Sequence, residues 1–476
     1  MPGIPSLAAA PIAWAVIPHF SPATSSQSPI PASTSRSAST VTTMGQANST
    51  APGNYTFTSA GNLLPYAEGN YAVGCIAINV PGKTEGSVVP CHVFYPVSKD
   101  HAGEGERPAW LAIEYAQALG VAQLANTFTE CGGVALMTIF GQAATGCLKL
   151  PTPIGAPPAP APSAGWPCCI MSHSLTAWPL HQSAMALSIA GQGAVVVCPT
   201  HCDRTACVAL THGPGPQRLL ATYLPWDKKC QEIRAALPPG ASDDEVRKLG
   251  LAWRQSQNEQ RLAELDASLD HLNATLAAAR PDLFARRFKE GRPFARVRDN
   301  VAVVGMSFGG ATAAAFALRD GSRAVPRVTH CFLLDPWIEQ EDVSPLSAAD
   351  LDRPLHKTLR TLRVWLDMGG LVAKTSAQAA ETLVANAAKN AKPRTLGIVR
   401  VEGAGHYAQT DIPSVFEHGP LRCFYLALRG RAQNVDAAPP ARETLMACLS
   451  LVLDALRDDG WVQVRQAASS KVAEYL

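Results

Sequence analysis

The sequence predicts an α/β fold with a mostly parallel central sheet flanked by helices. Two runs of Val and Ala, at 194–197 and 301–304, have the unbroken apolar character of strands that are buried on both faces. A helical pattern at 181–193 lies between an apolar run at 168–171 and the run at 194–197. A strand, a helix and a second strand in this order are typical of a parallel sheet. With 476 residues, 47% of them hydrophobic, the chain can bury a sizeable core.

The other predicted elements follow from the same periodicities. Further strands are predicted at 71–80, 88–97, 328–337, 362–368 and 394–401. Helices are predicted at 256–276, 308–317 and 443–456. Two segments interrupt this order and are predicted to be insertions. Residues 151–167 contain seven prolines and predict an extended surface loop rather than a domain boundary. Residues 208–250 are polar and predict a surface loop in preference to a lid.

The chain is predicted to consist of a tail at 1–60 and a single domain at 61–476. The tail is rich in Ser, Thr, Ala and Pro and buries too little apolar surface to order itself. Inside it, MGQANST fits the N-myristoylation pattern, with Gly45 as the acyl acceptor, if translation starts at Met44. A chance match in a Ser-rich segment and a transit peptide are the alternatives.

Composition excludes several function classes. The formal net charge is +2 and no run of Lys or Arg occurs, so no broad electrostatic case for nucleic acid binding exists. The 13 cysteines are scattered and predict reduced, buried thiols in a reducing compartment. Sequons at Asn48, Asn54 and Asn273 keep a secreted protein as the alternative. No apolar run reaches the roughly 18 residues of a membrane-spanning helix.

One serine stands between a predicted strand and a predicted helix. In GMSFG, Ser307 follows the apolar run at 301–304 and precedes a series of small residues. The pattern predicts a nucleophile elbow, in which a sharp turn exposes the hydroxyl and flanking side chains would clash. A tight strand-to-helix turn with an incidental serine is the alternative.

A serine nucleophile needs a base, an orienting carboxylate and donors for the oxyanion. Downstream, Asp335 ends one predicted strand and His406 lies in a Gly-rich loop after another. Both positions fall where parallel strands end, which is where open α/β sheets gather their ligands. The backbone N–H groups of Phe308 and Leu175 are the candidate oxyanion donors. An ordinary turn after the strand is the alternative at Leu175.

Taken together, these motifs resemble the platelet-activating factor acetylhydrolase family, the calcium-independent group of phospholipase A2 enzymes. The resemblance runs from about 70 to about 420. Its segments are YAVGC at 71–75, VFYP at 93–96, MSHSLTAW at 171–178, THCDRT at 200–205, GMSFGGAT at 305–312, LLDPW at 333–337 and GAGH at 403–406. The family implies an α/β-hydrolase fold with Ser307 as nucleophile, His406 as base and Asp335 as its orienting carboxylate. It also implies Leu175 and Phe308 as the oxyanion donors.

The resemblance further implies that His173 and the Asp203-Arg204 pair support the site from behind. No metal or organic cofactor is implied. The neighbouring His201 and Cys202 would point in different directions at a strand end, which argues against a metal cluster there. The family's HGLG segment is His-Ser-Leu-Thr at 173–176, a departure that puts the shape of the acyl pocket in doubt.

Two further departures are Met306, where the family has histidine, and Pro336, where it has alanine. The implied activity is hydrolysis of short or oxidised sn-2 acyl groups of glycerophospholipids, as a 1-alkyl-2-acetylglycerophosphocholine esterase. The alternatives are a carboxylesterase for soluble esters and a non-catalytic lipid-binding protein of the same fold. The expected partner is a phospholipid surface, with the run at 133–141 either docking on lipid or forming a core helix. The family includes intracellular, N-myristoylated members, so we expect a cytoplasmic protein with reversible membrane association.

Overall fold

The computed structural model describes residues 43–44, 55–58, 64–101, 105–110, 149–213, 216–320, 322–338, 346, 351, 353–367, 373–401, 406, 409–411 and 441–461. Its strands are β1 (Thr43–Met44), β2 (Ala72–Pro81), β3 (Val88–Val97), β4 (Trp166–Ser172), β5 (Val195–Pro199), β6 (Val208–Leu210), β7 (Leu219–Thr222), β8 (Ala295–Met306), β9 (Val328–Leu334), β10 (Thr361–Asp367) and β11 (Thr395–Val401). Its α-helices are α1 (Ser183–Gly191), α2 (Trp226–Ala236), α3 (Asp243–Ala279), α4 (Pro281–Lys289), α5 (Phe308–Asp320), α6 (Ala373–Asn390) and α7 (Ala441–Asp458). Short 3-10 helices span Lys99–His101 and Pro179–Gln182.

Nine of these strands form one sheet in the order β1-β11-β10-β9-β8-β4-β5-β3-β2. The six strands from β11 to β5 run parallel, while β1, β3 and β2 pair antiparallel at the two edges. The parallel strands are continuously buried: every residue of β5 and of β9 is buried. The predicted α/β fold with a mostly parallel sheet is therefore confirmed.

Helices cover both faces of the sheet. One apolar cluster joins one face to α3, α5 and α6, and the other joins the opposite face to α1 and α7. Helix α5 is rich in alanine, and these small side chains let it approach the sheet closely. Among the described residues no helix combines the length and apolar character needed to span a membrane.

The two predicted insertions differ from simple loops. Residues 151–165 run in extended form along β2 and β3, with the N–H of Cys75 donating to Pro153 O at 3.0 Å and that of Ala159 to Pro96 O at 2.9 Å. Residues 208–250 contain the β6–β7 hairpin, α2 and the start of α3. The charges that suggested a loop instead begin α3, because Ser242 and Glu245 form a capping box around its acidic first turn.

The predicted tail also contains ordered structure. Tyr55 is 3% exposed and its hydroxyl donates to Asp454 at 2.8 Å, while Phe57 forms a bridge with Ala67. Tyr55 belongs to the buried apolar cluster and Phe57 packs against it, so residues 55–58 pack with the domain. The predictions for the run at 133–141 and for Gly45 fall outside the described residues. The ten cysteines within them are all free thiols, and eight are buried.

Candidate active site

The candidate residues meet at the edge where the parallel strands end. Strand β4 leads into the loop that carries Leu175, β8 ends just before Ser307, and β9 ends just before Asp335. His406 follows β11 in the chain. Because parallel strands present their carboxyl ends at the same edge, four separate loops converge on one place.

Ser307 occupies a sharp turn between β8 and α5. Its φ is 55°, in the left-handed region, and it is 6% exposed. Its two neighbouring glycines are required by close backbone contacts. A Cβ at Gly305 would lie 2.0 Å from Gly309 O, and one at Gly309 would lie 2.1 Å from Ser172 O. The strained serine and the close approach of β4 are the geometry of a nucleophile elbow.

Asp335 and His406 are hydrogen bonded, with 2.5 Å between His406 Nδ1 and Asp335 Oδ2. Asp335 is buried, and its own backbone N–H donates to Trp365 O at 2.7 Å. The turn around it is joined to the elbow, since the N–H of Ser307 donates to Leu334 O at 3.0 Å and the Ser307 carbonyl accepts from Trp337 N–H at 2.9 Å. An acceptor at Nδ1 fixes the proton there, so Nε2 of His406 is the nitrogen that can act as a base.

The two candidate oxyanion donors lie in different loops. Phe308 is the first residue of α5, and Leu175 follows β4. Neither N–H donates to an acceptor in the described part of the chain. The first N–H groups of a helix lack intrahelical partners, so the one at Phe308 is available to an anion. The loop around Leu175 is strained as well, because the next residue, Thr176, has a φ of 58°.

His173 supports the Leu175 loop. Its Nε2 accepts the backbone N–H of His201 at 3.1 Å, which leaves Nδ1–H to donate to Ser174 O at 2.8 Å. Burial, with the nearby charge of Arg261, holds the pKa of His173 well below its usual value. A neutral imidazole therefore links two strand ends, and His173 is placed to shape the loop rather than to transfer a proton.

The other two residues implied to support the site, Asp203 and Arg204, lie in different environments. Asp203 is buried against Arg261 of α3, with 2.9 Å between the carboxylate and Nε. Arg204 is exposed, adopts a φ of 69°, and accepts the N–H of Leu224 at its carbonyl. Among the described residues no group of three or more His, Cys, Asp or Glu is arranged to hold a metal ion.

Two residues near the site were not predicted from the sequence. Arg261 is described above, and Glu264 lies one turn further along α3. Glu264 accepts from Cys202 N at 3.1 Å and lies 2.8 Å from His201 Nδ1, and His201 Nε2 lies 3.0 Å from Ser172 Oγ. The available signal was a pair of charged residues on the apolar face of an amphipathic helix.

The departures at Met306 and Pro336 are accommodated by packing. Met306 is fully buried in the cluster that α1 and α7 share with the sheet. Pro336 lies against Gly310, where a Cβ would come within 2.7 Å of the proline Cβ.

Comparison with known proteins gives a family match and several similar structures. A family model described as platelet-activating factor acetylhydrolase, isoform II, matches residues 56–470. The ferulic acid esterase from Streptomyces cinnamoneus aligns over 85% of this chain and 95% of its own, with a TM-score of 0.50 at 15% identity. Carboxyl esterase 2 from the mycorrhizal fungus Tuber melanosporum aligns over 88% of this chain and 90% of its own, with a TM-score of 0.36 at 11% identity. The chain has the α/β-hydrolase fold, and the family match supports an ester hydrolase.

Proposed function

Because the chain belongs to the platelet-activating factor acetylhydrolase, isoform II, family, we propose that it hydrolyses short or oxidised acyl groups from the sn-2 position of glycerophospholipids. The single observation that carries a serine mechanism is the His406–Asp335 hydrogen bond beside the elbow of Ser307. A buried carboxylate that fixes the tautomer of a histidine is the arrangement that activates a serine hydroxyl. The membership of the family carries the choice of substrate.

In the proposed reaction Ser307 Oγ attacks the ester carbonyl while His406 Nε2 takes the hydroxyl proton. The N–H groups of Phe308 and Leu175 bind the tetrahedral oxyanion. His406 then protonates the leaving lyso-lipid oxygen, which leaves an acyl-enzyme. Water attacks the acyl-enzyme with the same histidine as base, and the short acid is released. Every step uses side chains and backbone groups of this chain, and the scheme calls for no metal ion or cofactor.

A lipid substrate also suggests where the protein works. We propose a cytoplasmic protein that meets membranes reversibly, with secretion as the alternative. Acylation at Gly45 would fit, since one myristoyl chain gives a membrane affinity of only about 10⁴ M⁻¹. Incorporation of a myristate analogue into the chain begun at Met44, and its loss in Gly45→Ala, would support this proposal. Absence of label in both would remove it.

The test of function compares the full chain with Ser307→Ala. Release of a short sn-2 acyl chain from phosphatidylcholine vesicles is followed with a chelator present. We expect chelator-resistant release in the wild type and at least a 1,000-fold loss in the variant, because the nucleophile is removed. Thermal unfolding of both proteins checks that the substitution leaves the fold intact.

Two other outcomes would replace the proposal. Turnover of p-nitrophenyl esters without release from vesicles would keep the serine mechanism and indicate a carboxylesterase for soluble esters. Failure of a fluorophosphonate probe to label the folded wild type would contradict the serine mechanism and favour a lipid-binding protein.

A further inference from the structure

Arg261 is a buried cation beside the candidate site, and it takes no part in the reaction scheme above. Its side chain has no exposed surface, and its Nε donates to Asp203 Oδ2 at 2.9 Å. The Asp203 side chain is also fully buried. Buried charges persist when they are paired and hydrogen bonded, and this pair is close to neutral as a unit. Its effect on the site therefore comes from where it holds its neighbours rather than from a net charge.

One edge of the guanidinium contacts the loop that carries Leu175. Arg261 Nη1 donates to the carbonyl of His173 at 2.8 Å and lies 3.4 Å from Ser172 Oγ. His173 is two residues before Leu175, so this bond fixes the chain on the near side of the Leu175 N–H.

The same cluster also fixes the chain on the far side of Leu175. Arg261 donates to the Thr205 hydroxyl from Nε at 3.2 Å and from Nη2 as well. The Thr205 carbonyl in turn accepts the N–H of Thr176 at 2.7 Å. Asp203 Oδ1 accepts the N–H of Thr205 at 3.0 Å. Leu175 therefore lies between two fixed residues, His173 and Thr176. Arg261 bonds to His173 directly and to Thr176 through Thr205.

The guanidinium also contacts the side of the site that carries the other donor. Its Cζ lies 4.7 Å from the centroid of the Phe308 ring, and Phe308 is fully buried. A planar cation at this distance from an aromatic face is attracted to it. The one side chain thus spans from the loop after β4 to the first residue of α5.

We propose that Arg261 is a positioning residue that sets the separation between the N–H groups of Leu175 and Phe308. The inference rests on the proposed ester hydrolysis and adds to it a residue outside the catalytic set. Lysine is no substitute, because an ammonium lacks the planar fork that donates to Asp203, Thr205 and the His173 carbonyl at once. Removing this contact allows the two donors to drift apart, and a misplacement of about 1 Å costs about 100-fold in rate.

The test uses Arg261→Lys in the full chain, with Arg327→Lys as the matched control. Arg327 is also a buried arginine, with bonds to Asp266 and Asp270 and a contact to the Phe316 ring. It precedes β9, at the opposite end of the strands from the site. Both variants keep the charge and lose the fork, so their melting temperatures should fall by similar amounts.

Two activity measurements then separate positioning from stability. The first is kcat and KM for p-nitrophenyl acetate, a soluble ester that makes no assumption about lipid. The second is affinity for a trifluoromethyl ketone, which adds to the nucleophilic serine and places an oxyanion between the donors. For Arg261→Lys we expect both kcat and inhibitor affinity to fall about 10- to 100-fold, with KM changed less than about threefold. Arg327→Lys should retain wild-type values of all three.

Asp203→Asn alters the same ion pair from the carboxylate side. It tests the positioning role if Arg261→Lys fails to fold. Asp203→Asn should lower kcat and inhibitor affinity by the same factor. Wild-type kcat and inhibitor affinity in a folded Arg261→Lys, or in Asp203→Asn, would overturn the inference while leaving ester hydrolysis intact. A wild type that turns over no ester and is not labelled by a fluorophosphonate would instead overturn the proposed function.

Discussion

Replacement of Gly309 by alanine probes the closest backbone approach in the candidate site. A Cβ at this position would lie 2.1 Å from Ser172 O, 2.6 Å from Ser172 C and 2.7 Å from His173 O. All three are backbone atoms at the end of β4, so a side-chain rotation cannot relieve the contact. Ordinary van der Waals contact begins at 3.4 Å, which leaves a deficit of 1.3 Å (3.4 minus 2.1) to be taken up by movement. Either the elbow or the loop that carries Leu175 must shift by about that distance.

The expected result of Gly309→Ala is a fall in kcat of about 100-fold, because a 1 Å displacement between reacting groups costs about that factor. Overpacking costs about 1–3 kcal/mol of stability, against the gain of up to about 1 kcal/mol for Ala over Gly in a helix. We therefore expect Gly309→Ala to lower the free energy of unfolding that is measured by urea denaturation. The control is Gly86→Ala in the β2–β3 turn, where φ is 73° and nothing lies within 4 Å. It should lose about 1 kcal/mol through its left-handed backbone and keep wild-type kcat. Wild-type kcat in Gly309→Ala would refute the reasoning.

Three further outcomes are expected. Asp335→Asn should lower kcat on p-nitrophenyl acetate about 10³- to 10⁴-fold with little change in melting temperature, because the amide can present its NH2 group to Nδ1 of His406 and stabilise the wrong tautomer; a loss below tenfold would contradict this role. Burial raises the pKa of Glu264 from 4.5 to about 7, so its stabilising contribution is complete below pH 4.5 and is lost as the pH rises through about 7. Urea denaturation should therefore show the unfolding free energy of Glu264→Gln gaining on the wild type across that interval, and a constant difference would contradict the raised pKa. Asp411→Ala should lose about 2–5 kcal/mol in the same assay, since its carboxylate accepts the N–H groups of Ser183 at 2.8 Å and Ala184 at 3.0 Å at the start of α1; a loss under 1 kcal/mol would contradict this helix cap.

The sheet could be predicted because its strands carry their own signal. Strands buried on both faces are mostly apolar, and β3 and β9 begin at Val88 and Val328, where the predicted strands begin. Helices that are partly solvated lack such a signal. In α2 no residue is fully buried, and α6 consists largely of alanine and polar residues. Their positions depend on the surfaces they cover, which the local sequence does not encode.

In the candidate site, too, some residues could be predicted from the local sequence and others could not. Ser307 and Asp335 directly follow strands and His406 lies five residues after β11, so local motifs point to them one by one. Arg261 lies in the middle of α3, and its hydrogen-bond partners Asp203 and His173 are 58 and 88 residues away in the chain. Its place on the apolar face of α3 was a signal, but helical periodicity does not indicate which groups a buried arginine contacts. Those contacts become visible only when the packing of α3 against the strand ends is known.

Backbone strain connects the predicted and the unpredicted parts of the site. Of the five non-glycine residues with positive φ in the described part of the chain, four lie in the loops at this edge of the sheet: Thr176, Arg204, Ser307 and Asp335. Each strained residue costs of order 1–3 kcal/mol and persists only where its surroundings over-determine it. Hydrogen bonds to Thr205 O, Leu224 N–H, Trp337 N–H and Trp365 O supply that constraint, one for each. Because the bond at Thr176 runs through Thr205 to Arg261, the charge pair beneath the loops helps to hold a strained backbone. A substitution at Arg261 should therefore relax the strained backbone. Its effect on the positions of the two oxyanion donors should be larger than its effect on the stability of the fold.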